Sequence, residues 1–275
     1  MRIDQLLVQR QLASTRSQAQ RLIADGVEFS HSGVWRRVAK NGDEVPADAQ
    51  VRLLDTSEAR FVSRGGLKLE AALHALNWSL QGLQCLDVGQ STGGFTDCLL
   101  QRGAAMVVGV DVGSAQLHPS LRADGRVLCV EKCNARSLAA DDLIAAFESS
   151  LAQDGAVQAG ADVPEFVPLF DLIVMDLSFI SQTLVLPALV PLMKPGGRLL
   201  SLVKPQFELQ PGQVGKGGVV KEDAYYPMVE NRVRSTCTDL GLVVSDWLDS
   251  SIKGGDGNRE FLMAAQLPVV DPQPT

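Results

Sequence analysis

The sequence predicts an α/β protein in which a mostly parallel, seven-stranded sheet follows a small, basic, helix-rich module. Three features support it. From Gly65 onward, short apolar runs alternate with helical patterns, the order that builds a parallel sheet with helices on both faces. Between one such run and the next helix lies a Gly-rich turn, Gly89-Gln90-Ser91-Thr92-Gly93-Gly94. Charge is divided unevenly: residues 1–40 hold seven basic and three acidic side chains, although the whole chain carries −7. At 275 residues and 45% apolar content there is room for one large, well-buried domain and one small one, with the division expected at 60/61.

In the first 60 residues, Ile3, Leu6, Leu7 and Leu12 mark one short helical face. Ser14-Thr15 offers an N-cap for a second face of Ala19, Leu22 and Ile23, which stops at Gly26. Alternating stretches at 27–29, 34–36 and 51–54 predict short strands. Beyond them, apolar runs place strands near 83–88, 106–111, 126–131, 171–176, 197–203, 242–248 and 259–266. Helices are expected near 66–77, 94–102, 180–193 and 222–240. The last two strands, joined by a loop, predict an antiparallel hairpin that closes the sheet. Residues 141–168, rich in Ala, Gly and acid, read as a mobile surface insertion away from any site.

Glycines at a strand-to-helix turn let a ligand approach the backbone and leave helix N–H groups to meet it. Asp87 adds a fixed charge at the strand end, and Asp111 ends the next strand, where doubly wound nucleotide folds grip a ribose. The spacing is Gly-x-Ser-x-Gly-Gly, not the dinucleotide Gly-x-Gly-x-x-Gly. That points away from NAD and toward a nucleoside cofactor without a pyrophosphate, of which S-adenosylmethionine is the commonest. Residues 89–93 also match Gly-x-Ser-x-Gly, the nucleophile elbow of hydrolases. The elbow needs an acid and then a histidine downstream. Ser91 is followed by a single histidine, His118, with no suitable acid ordered before it, so the hydrolase reading fails.

Ligands in such folds sit at the carboxyl edge of the strands. Four ionisable residues fall at or near it: Lys68 just before the first strand, Asp176 and Lys204 ending strands, and Glu260 opening the last one. Each alone is ordinarily structural. A lysine ending the apolar run Leu199-Leu200-Ser201-Leu202-Val203-Lys204 is nevertheless hard to explain as solvated surface. Two lysines and two acids at successive strand ends fit deprotonation of a weakly acidic hydroxyl. An ammonium is a poor base until burial and a neighbouring ammonium depress its pKa, while carboxylates hold the geometry. The freed amine then accepts the hydroxyl proton as the oxygen attacks an electrophilic methyl in line. Positioning supplies much of the acceleration, and no metal is needed.

Arg2-Ile3-Asp4-x-Leu6-Leu7, with Ser17-Gln18-Ala19-Gln20-Arg21-Leu22-Ile23-Ala24-Asp25-Gly26-Val27, resembles the S4-like RNA-binding domain of ribosomal and RNA-modifying proteins. By composition alone the N-terminal arginines fit a solvated face equally well. The resemblance implies RNA contact by Arg2, Arg16, Arg21, Arg36 and Arg37. Ser30-His31-Ser32-Gly33 stands where that domain usually has a Val-Asn-Gly turn. Further on, Phe61-Val62-Ser63-Arg64-Gly65-Gly66-Leu67-Lys68-Leu69-Glu70, the 87–96 segment, Met175-Asp176-Leu177-Ser178-Phe179-Ile180 and Leu202-Val203-Lys204-Pro205-Gln206-Phe207-Glu208 are similar to the TlyA (hemolysin A) family. That family joins an S4-like domain (1–60 here) to a Rossmann-like class I methyltransferase domain of FtsJ (RrmJ) type (61–275 here).

The resemblance implies 2′-O-methylation of cytidine in ribosomal RNA, naked or in assembled subunits, with S-adenosylmethionine as donor. The family's Lys-Asp-Lys-Glu tetrad falls on Lys68, Asp176, Lys204 and Glu260. Cofactor contacts fall on Asp87, Gly89, Ser91, Thr92, Gly93, Gly94, Phe95 and Asp111, and Asn134 is similar to an adenine-side residue. Gln90 stands where the family usually has a small residue.

The five cysteines form no Cys-x-x-Cys pair, so no metal site is expected. The most apolar long stretch, 179–193, contains Pro187 and Pro191 and is shorter than the about 20 residues a membrane helix needs. The N-terminus has no apolar core of signal length, and a cytoplasmic protein is expected. The same lengths argue against a membrane-active haemolysin. The other alternative, an RNA-binding protein without catalysis, is opposed by the complete tetrad and the Gly-rich turn.

Overall fold

The computed structural model describes residues 1–13, 15–54, 60–153, 165–254 and 257–269. The chain divides into compact units of residues 1–67 and 68–275. The expected boundary at 60/61 therefore lies inside the first unit, where Gln18 Nε2 donates to the Phe61 carbonyl over 3.2 Å.

In the first unit, helix α1 (Ile3–Gln9) packs on α2 (Arg16–Gly26) through Ile3, Leu6, Leu7, Ala19 and Leu22, all fully buried. Thr15 caps α2, its Oγ1 accepting from Gln18 N at 3.2 Å; Ser14, the other expected cap, lies outside the described residues. Strands β1 (Val27–Ser30), β2 (Trp35–Arg37) and β3 (Gln50–Leu53) form an antiparallel sheet in the order β2-β1-β3. Ser30 pairs with Trp35, so His31, Ser32, Gly33 and Val34 make the turn.

The second part of the chain begins with α3 (Gly65–Ala75), β4 (Gln84–Val88), α4 (Gly94–Gln101), β5 (Met106–Asp111), α5 (Pro119–Arg122) and β6 (Val127–Glu131). Then come α6 (Ala140–Gln153), β7 (Phe170–Met175), α7 (Leu186–Leu189), β8 (Met193–Val203), α8 (Pro205–Glu208), α9 (Tyr225–Asp239), β9 (Val243–Asp249) and β10 (Phe261–Gln266). The seven strands lie in the order β6-β5-β4-β7-β8-β10-β9. The first five are parallel, while β10 runs antiparallel to both β8 and β9, as the expected closing hairpin requires. Central strands are buried on both faces, which is why Cys85 to Val88 and Leu172 to Met175 are nearly continuous apolar runs. The strand order runs outward in both directions from the β4/β7 pair, and a ligand crevice forms at such a switch point.

Two expectations are corrected. Residues 141–153 of the expected insertion lie in α6 (Ala140–Gln153), with Asp141 and Asp142 in its first turn and Leu143 fully buried in the core. Phe147 of that helix stacks on Phe166 with ring centroids 4.8 Å apart. Alanine there signals helix, for which it has the highest propensity, rather than loop. Residues 154–164 lie outside the described residues. The single helix expected at 180–193 is instead α7 flanked by 3₁₀ turns at Gln182–Leu184 and Val190–Leu192. Pro187 and Pro191 withhold the N–H groups a continuous helix would need. Among the described residues, no helix is long and apolar enough to cross a membrane.

Candidate active site

The carboxyl ends of β4, β5 and β7 border a cavity of about 500 Å³ whose wall includes Gly89, Ser91, Asp111, Asn134, Asp176 and Phe179. Gly89 turns the chain away from β4 with φ 86°. A Cβ there would stand 2.5 Å from the Asp176 carbonyl oxygen, so only glycine lets the turn lie against the end of β7. Asp111 holds the turn: Oδ2 accepts from Ser91 N and Oδ1 from Gly113 N, each at 2.7 Å. A carboxylate offers about four acceptor sites, so Asp111 keeps capacity for ribose hydroxyls. Asn134 Oδ1 accepts from Arg136 N at 3.0 Å, leaving the NH₂ for a base edge. Val112, Ile180 and Val185 supply apolar wall. Diol acceptor, polar edge and apolar slot together suit an adenosine.

Asp87, Thr92, Gly93, Gly94 and Phe95, expected to touch the cofactor, are not on this wall. Asp87 is fully buried, and its Oδ2 accepts from Thr96 N at 2.9 Å and Thr96 Oγ1 at 2.7 Å. Its Oδ1 has no partner among the described residues, and burial pushes the carboxyl up to about 7. Asp87 therefore pins the first turn of α4 to the end of β4. Gly93 caps α4 in the left-handed region, and Phe95 faces the core. Gln90 is buried too, its Nε2 donating to Thr96 Oγ1 at 2.9 Å, so it braces the turn from beneath.

Strand register gathers the four ionisable residues. Asp176 follows β7 and Lys204 follows β8. Because β10 is antiparallel and Phe261 pairs with Val203, Glu260 emerges at the same edge, across from Lys204, despite preceding its strand. Lys68 reaches in from the first turn of α3, not from a strand end, and its Nζ forms a buried ion pair with Glu260 Oε2. Lys204 Nζ lies 2.5 Å from Asp176 Oδ1 and donates to Ser178 Oγ at 3.0 Å. Asp176 and Ser178 belong to the cavity wall; Lys68 and Glu260 do not.

Three residues that the sequence motifs contain but to which the sequence assigned no role complete the edge. Ser178 steadies Lys204. Phe179 is 90% exposed at the cavity, holds φ 67°, and packs on Phe207 with centroids 5.1 Å apart. A bulky side chain both solvent-facing and at positive φ marks stored strain of the kind found at functional sites. Glu208 is buried, its Oε2 accepting from Ser181 Oγ at 2.5 Å and Oε1 from Gln182 N at 2.7 Å, and burial pushes its carboxyl up. It ties the segment after Asp176 to the segment after Lys204. No sequence spacing announces that link.

The N-terminal arginines are less available than their number implies. Arg2 and Arg16 each lie 2.9 Å from the fully buried Asp4, and these contacts, Arg2's first, hold its carboxyl well below the usual range. Arg10 donates to the carbonyls of Ala49 (2.5 Å) and Ala47 (2.7 Å). Arg21 is half-buried on α2. Arg36 and Arg37 are exposed on β2, and Arg37 borders an open groove with Lys40. Arg52, not anticipated, stacks 4.3 Å over the Trp35 ring.

Comparison with known proteins identifies the family. The FtsJ-like methyltransferase family model matches residues 61–267, and the S4 domain model matches residues 1–26. A Mycobacterium tuberculosis protein named 16S/23S rRNA (cytidine-2′-O)-methyltransferase TlyA is 39% identical over 262 residues, 95% of this chain and 88% of its own. A Bacillus subtilis protein provisionally named an rRNA methyltransferase, YqxC, is 39% identical over 267 residues, 97% of this chain and 86% of its own. A solved Streptococcus thermophilus structure carrying a provisional hemolysin label superposes with TM-score 0.70 at 36% identity, covering 98% of this chain and 88% of that one. The chain belongs to the FtsJ-like methyltransferases, in the TlyA (hemolysin A) branch that carries an S4 domain at its N-terminus.

Proposed function

We propose that this protein transfers a methyl group from S-adenosylmethionine to the 2′-hydroxyl of cytidine in ribosomal RNA, in the cytoplasm. The S4-like segment within 1–60 engages RNA, and 61–275 carries the chemistry. The supporting observation is the placement of two ammonium–carboxylate pairs at the edge formed by the carboxyl ends of β7 and β8 and the amino end of β10, one of them beside a nucleoside-sized cavity. The relatives' named activity supports cytidine and ribosomal RNA as the target.

When bound, S-adenosylmethionine supplies a methyl made electrophilic by its sulfonium. Gly89, Ser91, Asp111 and Asn134 hold it, while Asp87, Thr92, Gly93, Gly94 and Phe95 shape the turn beneath. Lys204, the lysine nearest the cavity wall, passes its ammonium proton to the paired Asp176 carboxylate and, as the neutral amine, accepts the hydroxyl proton as the oxygen takes the methyl; Ser178 helps orient its Nζ. Lys68 and Glu260 fix the charge pattern at the far side of the edge. Phe179 offers a flat face to a base and screens the cavity mouth from water. Arg36 and Arg37 contact RNA phosphates more directly than Arg2 and Arg16, whose charge Asp4 partly cancels, and Arg21 on α2 contacts RNA beside them.

Mapping 2′-O-methylcytidine in ribosomes from cells with and without this protein tests the proposal. At least one such nucleotide is expected to vanish with the protein; identical maps would refute it.

A further inference from the structure

We propose that Lys216 and Lys253 form a two-point grip on the phosphates of the substrate RNA strand, anchored to the catalytic edge through Asn258. The inference rests on RNA being the substrate and adds where the strand is held.

Asn258 is 2% exposed, yet both ends of its amide are used. Nδ2 donates to the Gly218 carbonyl at 2.8 Å and Oδ1 accepts from Val220 N at 3.0 Å. These bonds fix a small hairpin in which Val214 bridges Val220 and Gly215 N donates to the Val219 carbonyl at 2.7 Å. Gly217 and Gly218 both hold φ 80° with open space where a Cβ would be, and the exposed Lys216 precedes them at the tip. The backbone carbonyl of Asn258 accepts from Gly254 N at 3.0 Å, which sets the exposed Lys253 beside it. A Cβ on Gly254 would stand 2.6 Å from Glu260 Oε1, so this backbone lies directly against the carboxylate paired with Lys68. One buried amide thus fixes two exposed lysines relative to Glu260.

The other cations of this region are committed elsewhere. Lys221 Nζ donates to the Gly212 carbonyl at 2.8 Å, and Arg232 Nη1 donates to the Glu208 carbonyl at 2.7 Å. Arg259 pairs with Asp249 at 2.7 Å and lies 5.0 Å over the Tyr226 ring. Lys216 and Lys253 have no ion pair among the described residues. Residues 61–275 hold 24 acidic against 16 basic side chains, so most of this surface repels a polyanion. Uncommitted lysines next to the reacting edge are where such a strand is tolerated, and an ammonium recognises phosphate as a point charge.

Steady-state methylation of ribosomal subunits across a salt series, with the Lys216→Ala/Lys253→Ala double variant, tests the grip. The expected result is a KM for RNA raised about tenfold and a salt slope smaller by about 1.4, roughly 0.7 for each lost phosphate contact on single-stranded RNA. S-adenosylmethionine affinity and kcat at saturating RNA stay within about twofold, and Lys→Arg at both positions restores the slope. An unchanged KM, or a raised KM with an unchanged slope, overturns the grip. If the wild-type protein itself fails to methylate RNA, the proposed function falls instead, so the two failures are distinguishable.

Discussion

Lys68 and Glu260 meet with 9% and 3% of their side chains exposed, whereas Lys204 and Asp176 keep 12% and 24% and adjoin the cavity. The difference separates two jobs that the residue types alone leave merged. A sealed pair holds the fold and the field at the edge, and removing one partner strands a buried charge. The second pair borders the cavity, where it is placed to meet a substrate hydroxyl, and its Asp176 keeps an exposure that Glu260 lacks.

Lys204→Ala is the sharpest challenge to that division. Methyl transfer is expected to fall by about 10² to 10⁴, the range of a lost general base, with S-adenosylmethionine affinity within about twofold and a smaller Tm loss than Lys68→Ala, because Asp176 keeps more exposure than Glu260. Full activity in this variant would break the assignment. Lys68→Ala is expected to lower activity and also cost about 3–5 kcal/mol of stability, measured by denaturant titration, because Glu260 is left buried without its cation. Pairing Lys68→Met with Glu260→Gln should recover much of the stability and none of the activity; recovery of both would make this pair dispensable to the chemistry.

Asp87 sharpens the contrast as a buried carboxyl with no paired cation among the described residues. Its folded-state value near 7 lies above the ordinary 3.8, so the folded protein keeps a proton that the unfolded chain releases between about pH 4 and pH 7. Its contribution is full at low pH and is lost as pH rises through that window. Asp87→Asn, which cannot titrate, should show a smaller Tm decline than wild type between pH 5 and 7.5. Parallel declines would place the titration elsewhere.

Strand positions were legible because buried parallel strands are short apolar runs, and the Gly-rich turn announced its crevice. The quartet was legible as residues at strand ends, but its pairing was not: Lys68 and Glu260 are 192 residues apart, and only the antiparallel course of β10 brings them together. Helix α6 was hidden by its alanines. Asp87 looked like a cofactor ligand from its place at a strand end; its burial against Thr96 depends on how α4 folds back, which no local pattern encodes. Arg2 and Arg16 looked like phosphate contacts until Asp4, buried by the packing of α1 on α2, drew them in.

The position of β10, wedged between β8 and the earlier-made β9, bears on how the molecule comes into being. A nascent chain that has emerged through β9 already owns the cofactor turn, Asp176 and Lys204, but Lys68 still lacks its partner. It also shows two unpaired strand edges where β10 belongs. The Lys68–Glu260 pair and the closed sheet are thus completed only when β10, the last of the described strands in chain order, has emerged.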